Sequence, residues 1–387
     1  MDPSGGNAVK LGQKRMIGEG QLEMNAPFPD GGKNGLRSTH DLAKAGLITP
    51  TEAKSLAALE AHYAVGISEA MAALIDPADP LDPIARQFVP DIREAERLPE
   101  ERDDPIGDAA FSPVEGVVHR YPDRALLKLL HVCPVYCRFC FRRETVGPQG
   151  PSHLDAKALD AAFSYLAANR EIWEVILTGG DPLMLSPRRL ADILARLDAI
   201  GHIKILRLHS RVPSVDPGRV TQDIVDLLRA SGKTVYLVLH ANHPRELTPA
   251  ARRACAAFID GGIPMLSQSV LLRGVNDKVE ILAELMRAFV EMRIKPYYLH
   301  HPDLAPGTSH FRLSISEGQA LMRALRGRLS GLCQPAYVLD LPGGHGKSPV
   351  GPNYLSAGAE GAPLIVEDYR GQKHAYPQQA DADTRLE

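Results

Sequence analysis

Three cysteines carry the strongest chemical signal in this chain. Cys133, Cys137 and Cys140 stand in Cys-Pro-Val-Tyr-Cys-Arg-Phe-Cys, a C-x3-C-x2-C spacing that directly follows the apolar run RALLKLLHV (124–132). Three thiolates from one short loop can hold three irons of a [4Fe–4S] cluster and leave the fourth iron without a protein ligand, whereas ferredoxin-type spacings supply four cysteines. Zinc is the competing occupant, but a structural zinc site wants four ligands in paired C-x2-4-C units, and no second pair follows. The chain has five cysteines in 387 residues, with Cys255 and Cys333 isolated, so they cannot form a disulfide framework.

A second chemical signal is Lys347 in Pro-Gly-Gly-His-Gly-Lys-Ser-Pro (342–349). The triplet Gly346-Lys347-Ser348 imitates a phosphate-binding P-loop, but that motif needs a glycine at position 341, where this chain has Leu. A lysine in a flexible glycine turn suits different chemistry. It can form a Schiff base with pyridoxal phosphate and move aside when substrate replaces it. Taken alone, it reads more readily as an exposed turn residue. Thr178-Gly179-Gly180-Asp181 is a turn whose glycines would let backbone groups approach a ligand without an intervening Cβ.

These groups need a scaffold. Short apolar runs at 124–132, 173–178, 203–209, 234–240, 264–272 and 295–301 alternate with amphipathic stretches such as PRRLADILARLDAI and KVEILAELMRAFVEM. Strand alternating with helix predicts βαβ units and a parallel sheet. Polar residues gather where the strands end: Cys133, Thr178 to Asp181, Ser210 and Arg211, His240, Gln268 and Asp303. Barrels collect site residues from many strand ends in this way, whereas a doubly wound sheet uses one switch point. The expected fold is therefore α/β, an open, partial (β/α)6 barrel over 116–330. A poorly ordered segment (1–40) and a helical extension (41–115) precede it, and a C-terminal segment (331–387) carries Lys347 and one more strand. Within the extension, a helix capped by Thr49 or Thr51 is expected, followed by a Pro- and acid-rich surface connection.

Composition narrows the partners. There are 44 basic and 47 acidic residues, for a net charge of −3, which argues against nucleic-acid binding. No apolar run reaches the roughly 20 residues of a membrane span. The N-terminus has no signal-peptide pattern, so the cytoplasm is the expected compartment.

The cysteine motif is the signature of the radical S-adenosylmethionine enzymes. The text YPDRALLKLLHVCPVYCRFCFRRE resembles their lysine 2,3-aminomutase branch, and the similarity continues through ILTGGDPLML, LHSRVPSVDPGRVT, LHANHPRELT, LSQSVLLRGVND, KPYYLHHPDL and PGGHGKSPVGPNY. This resemblance implies a [4Fe–4S] cluster on the three cysteines, with S-adenosylmethionine on the open iron. It implies pyridoxal 5′-phosphate on Lys347 with its phosphate on Arg124, and the substrate carboxylate on Arg142. Asp303 and Asp340 would hold the distal ammonium of lysine, and Thr178, Gly179, Gly180, Asp181, Ser210, Arg211, His240 and Gln268 would border the cofactors. Long aminomutases of this branch carry a zinc-binding cysteine where this chain has Lys278, and further ones near the C-terminus, so no structural zinc is expected here.

The activity implied is an isomerase that moves the α-amino group of L-lysine to C3, fed by an external electron donor, with room for a homo-oligomer. Kindred readings are supply of (R)-β-lysine for elongation factor P modification, or action on another cationic amino acid such as arginine. The shorter relative that serves elongation factor P lacks the acid matching Asp340. A non-catalytic Fe–S sensor is the reading from another class, and bound pyridoxal phosphate would separate it from the rest.

Overall fold

A computed structural model of the chain describes residues 35–146, 152–356 and 363–376. Seven strands lie side by side in sequence order and all run parallel. They are β2 (Arg124–Leu130), β3 (Glu174–Gly179), β4 (Ile205–Ser210), β5 (Thr234–His240), β6 (Met265–Val270), β7 (Ile294–His300) and β8 (Ala336–Leu341). The first six coincide with the six apolar runs of the sequence. An antiparallel strand flanks each edge, β1 (Val117–Tyr121) against β2 and β9 (Gly346–Pro349) against β8. β1 and β9 form no ladder, but the Tyr121 hydroxyl accepts the Lys347 backbone N–H at 2.7 Å. The result is a nearly closed partial barrel.

Strand alternation divides each strand into an outer and an inner face. In β4, Leu206 and Leu208 join the helix-facing core with no exposed surface, so Arg207 and His209 point to the interior. The helices cover the outer face: α5 (Ala156–Ala168), α6 (Pro187–Asp198), α8 (Gln222–Arg229), α9 (Pro249–Asp260), α10 (Val279–Glu291) and α11 (Ile315–Leu325), with the single turn α7 (Val212–Val215) at the end of β4. Their starts are written in the sequence. Asp155, Ser186, Thr248 and Ser314 accept first-turn N–H groups of α5, α6, α9 and α11, and Pro187 and Pro249 occupy first positions where no donor is needed. A small sheet of β10 (Leu355–Ser356), β11 (Leu364–Glu367) and β12 (Lys373–Tyr376) follows the barrel.

The N-terminal extension holds α1 (Thr39–Lys44), α2 (Pro50–His62), α3 (Glu69–Ala72) and α4 (Ala85–Phe88). Most of the expected lead-in (1–40) and the tail DADTRLE lie outside the described residues. Residues 35–40 belong to the fold, since Leu36 bridges to Ile67 and Ser38 caps α1. Thr49, not Thr51, caps α2 through a reciprocal pair with Glu52. The helix stops at His62 because the next residues serve the cysteine loop: the Gly66 carbonyl accepts the Tyr136 N–H at 2.8 Å. No helix among the described residues is long and apolar enough to cross a membrane.

The Pro- and acid-rich connection is more than a surface strap. Its Gln87, Phe88 and Glu94 are buried. The Glu94 carboxylate receives Arg138 Nε at 2.9 Å and Arg138 Nη2 at 2.6 Å, and it is also paired with Arg143. Its small core includes Val135, and Tyr136 packs with Leu56, Leu59 and Tyr63, so the extension's apolar residues pack directly on the cysteine loop. Removing one partner of a buried ionic group typically costs about 3–5 kcal/mol, because the remaining charge is left desolvated. Glu94→Ala is therefore expected to lower the unfolding free energy by that order, read as a lower urea midpoint with little change in m-value. A midpoint equal to wild type would show that the triad does not stabilise the fold.

Candidate active site

At the end of β2 the chain leaves regular structure, and the three cysteine thiols turn inward. Burial pushes all three thiols up, Cys133 well above its ordinary value and Cys140 to about 11, and the charge of neighbouring sulfurs adds to the shift at Cys133 and Cys140. Buried thiolates in such proximity need positive charge, which iron supplies. No three His, Cys, Asp or Glu side chains among the described residues are already gathered as a metal cage, so the fit rests on the donor set and its burial. Arg211 Nη1 also donates to Cys137 Sγ at 2.8 Å, while its Nη2 is held by Gln87 Oε1 at 2.6 Å and Glu246 Oε2 at 2.9 Å.

The Thr178 to Asp181 segment is locked onto this loop. The Gly180 and Asp181 N–H groups donate to the Leu130 and Val132 carbonyls at 2.5 and 2.9 Å. A Cβ on Gly180 would stand 2.1 Å from the Val132 oxygen, and Gly179 has φ +107°, so both glycines are required by backbone contact. Asp181 and Ser210, expected at a cofactor rim, instead face each other: Asp181 accepts the Ser210 hydroxyl at 2.8 Å and the Arg211, Val212 and Leu183 N–H groups. Their carboxylate and hydroxyl tie β3 to β4 because every nearby donor already points at Asp181. His240 is stacked against Phe139 of the loop at 5.8 Å between ring centres, and its Nε2 has no partner among the described residues. Gln268 lies in β6, paired in register with Tyr298.

Two charged centres line the barrel, and Asp303 feels both. At the first, Asp108 Oδ2 receives Arg142 Nη2 at 3.2 Å and lies 3.8 Å from Lys128 Nζ, while Oδ1 receives Arg120 Nη2 at 3.1 Å. Burial opposes ionisation of Asp108, but the charges of Arg142 and Lys128 outweigh it and hold its carboxyl below the usual range. At the second, Lys347 Nζ lies 2.6 and 2.8 Å from the two Asp340 oxygens, with His300 Nδ1 at 3.5 Å. Burial again disfavours the charge, yet the hydrogen bond from His300 and the Lys347 charge keep Asp340 ionised well below the usual range. Asp303 is the opposite case: burial, then the Asp340 charge, pushes it up to about 7, and its Oδ1 has no partner among the described residues.

The structure thus brings Arg142, Asp303, Asp340 and Lys347 within electrostatic reach of one another. Arg124 sits apart, at the start of β2, 3.8 Å above the Tyr121 ring and 2.7 Å from Asp123. Lys347 is not in a flexible turn. It lies in β9 opposite Asp340, because the turn spans only Pro342 to His345, where Gly343 and Gly344 are left-handed. Arg143, next to Arg142 in the chain, is buried on Glu94 and over the Tyr63 ring at 3.7 Å. Sequence reasoning passed over Asp108, Lys128, Glu94 and His300. Lys128 had a signal, a charge in an otherwise apolar strand, while the acids of the extension had none.

A parallel barrel with three cysteines in the loop after its first parallel strand defines a radical S-adenosylmethionine enzyme. The Radical SAM superfamily model matches residues 127–286 and the Lysine-2,3-aminomutase model matches residues 322–385. The chain is 38% identical to an L-lysine 2,3-aminomutase of Clostridium subterminale, over 88% of this chain and 81% of that one. It is 39% identical to that of Acetoanaerobium sticklandii (84% and 78%) and 34% identical to a glutamate 2,3-aminomutase of Clostridioides difficile (83% and 76%). The chain belongs to the lysine 2,3-aminomutase family of radical S-adenosylmethionine enzymes. It is accordingly an isomerase acting on a small amino acid, with a [4Fe–4S] cluster, S-adenosylmethionine and an electron donor.

Replacing Cys137 with Ala should abolish the visible cluster absorbance and deoxyadenosine formation while leaving the helix content unchanged. Full iron and sulfide content in that variant would refute the assignment of Cys137 as a ligand.

Proposed function

We propose that the protein is a pyridoxal phosphate-dependent L-lysine 2,3-aminomutase, producing β-lysine. The observation that carries the reading is the pair of carboxylates Asp303 and Asp340: Asp340 is buried against Lys347, and the Oδ1 of half-buried Asp303 has no partner among the described residues. A buried carboxylate is costly unless paired, so the site favours a cation from the substrate. The opposite centre on Asp108 carries excess positive charge from Arg142, Lys128 and Arg120, which suits an α-carboxylate. Lysine has charges of the right sign at both ends. Glutamate would bring a second carboxylate to two acids, which disfavours the activity named for the C. difficile relative. Arginine carries the same charges as lysine, and the length of the cavity decides between them.

Lys347 fits as the cofactor lysine: its amine faces the interior, its backbone is fixed by β8 and Tyr121, and Arg124 lies beside Tyr121. The Arg124 pair with Asp123 is partly exposed and weak, so a phosphate competes for that guanidinium easily. Pyridoxal phosphate bound there would supply the conjugated carbon that tethers a migrating amino nitrogen, and the cluster with S-adenosylmethionine supplies the one-electron chemistry. This chain's residues orient the substrate: Arg142 holds the carboxylate, Asp340 and Asp303 hold the distal ammonium, and the barrel excludes water. Positioning of this kind can supply much of the rate.

Borohydride reduction of cofactor-loaded protein should fix pyridoxal phosphate on the peptide containing Lys347. Labelling of another lysine would reject the assignment. A second prediction concerns pH. An empty-site Asp303 near 7 is protonated below that value, and an ammonium needs it ionised, so binding releases a proton there. Lysine affinity is expected to be full above pH 7 and to fall toward about tenfold per pH unit below it. Asp303→Asn should weaken binding and flatten that slope. A pH-independent lysine Kd in wild type, or a preference for glutamate, would overturn the substrate assignment.

A further inference from the structure

We propose that Lys128 is a second cation for the substrate carboxylate and, with Arg142, sets the requirement for one; the inference rests on the lysine reading above. In β2 the alternate residues Ala125, Leu127 and Leu129 are buried in the helix-facing core, which turns Leu126 and Lys128 toward the interior. Lys128 pairs in register with Thr178 of β3, and the Thr178 hydroxyl oxygen lies 3.5 Å from Arg142 Nη1. Lysine and arginine therefore flank one point in the lumen, on adjacent strands and the cysteine loop.

Their shared counter-ion is insufficient. Asp108 Oδ2 lies 3.2 Å from Arg142 Nη2 but 3.8 Å from Lys128 Nζ, beyond hydrogen-bond length, and Oδ1 is taken by Arg120 at 3.1 Å. Arg120 Nη2 also donates to the Ile106 carbonyl at 2.8 Å, so that nitrogen is engaged with the wall. One carboxylate thus stands at salt-bridge distance from three cations, while Asp104 reaches Lys128 and Asp303 reaches Arg142 only through longer-range attraction. Lys128 has only 20% of its side chain exposed, burial lowers its pKa, and the anion that it pairs with, Asp108, stands beyond hydrogen-bond length. A substrate carboxylate entering between Lys128 and Arg142 provides the missing charge, with Arg142 giving the planar fork and Lys128 a point charge. If Lys128 served only to neutralise Asp108, it would duplicate what Arg142 and Arg120 already do at shorter distance.

The test is equilibrium binding of L-lysine and of cadaverine, its decarboxylated counterpart, to anaerobic enzyme loaded with cluster, S-adenosylmethionine and pyridoxal phosphate. Loss of one charge-assisted contact predicts that Lys128→Met weakens lysine binding by about tenfold or more. Cadaverine binding should change by less than about twofold, and Lys128→Arg should retain most of the lysine affinity. Lys128→Gln repeats the comparison if the methionine variant does not fold. Equal weakening of both ligands, unchanged lysine affinity, or selective loss of S-adenosylmethionine binding would each overturn the clamp while leaving the lysine reading intact. Failure of the wild type to bind lysine would overturn that reading and the clamp together.

Discussion

The cysteine loop has almost no regular structure of its own, and what shapes it is a carboxylate from outside the barrel. Glu94 stands between Arg138 and Arg143, all three shielded from water. Such a group gains stability only when complete, because each isolated charge carries a desolvation penalty that the others offset. The extension and the loop therefore order together. Gln87 extends the link: its backbone carbonyl accepts the Arg138 N–H at 2.9 Å, and its side chain meets Arg211, which reaches Cys137. One short turn of the extension thus contacts the loop from below and the end of β4 from the side.

Within the barrel the same rule is applied with opposite intent. Two acids at comparable depth behave differently because one is complete and the other is not. Asp340 has Lys347 and His300, and stays ionised. For Asp303, burial and the neighbouring Asp340 charge outweigh the pull of Lys347 and Arg142, so it holds its proton near neutral pH. Lys347 is the cation on which Asp340 depends, whereas Asp303 Oδ1 has no partner among the described residues and is open to a further cation.

The barrel was legible because parallel strands buried on both faces read as apolar runs separated by amphipathic helices, and caps such as Ser186 and Thr248 are local signals. The three cysteines were legible because their spacing lies within one loop. The extension was not. Glu94 is 44 residues from Arg138, and Asp108 is 34 from Arg142, so no periodicity links them. The acid-rich text around them reads as solvated surface until the fold places it against the loop. Arg143 was missed for the same reason, since it differs from Arg142 only in which acid it meets. Lys347 was misjudged in conformation because glycines at 343, 344 and 346 suggest a mobile turn, whereas two of them make a tight hairpin.

That hairpin fixes where Lys347 sits. A barrel that does not close leaves two strand edges, which are prone to pair with other chains unless they are covered. Here β1 and β9 run antiparallel along the two edges, and they meet through one side-chain bond, Tyr121 to the Lys347 N–H. The contact needs close packing: a Cβ on Gly107 would fall 2.4 Å from the Gly344 nitrogen, and one on Gly346 would fall 2.7 Å from the Tyr121 hydroxyl. With its backbone held from both sides, Lys347 can move only through its side-chain torsions. Exchange of a covalent partner at Nζ is then compatible with a fixed seam, so the barrel need not open to change what the lysine carries.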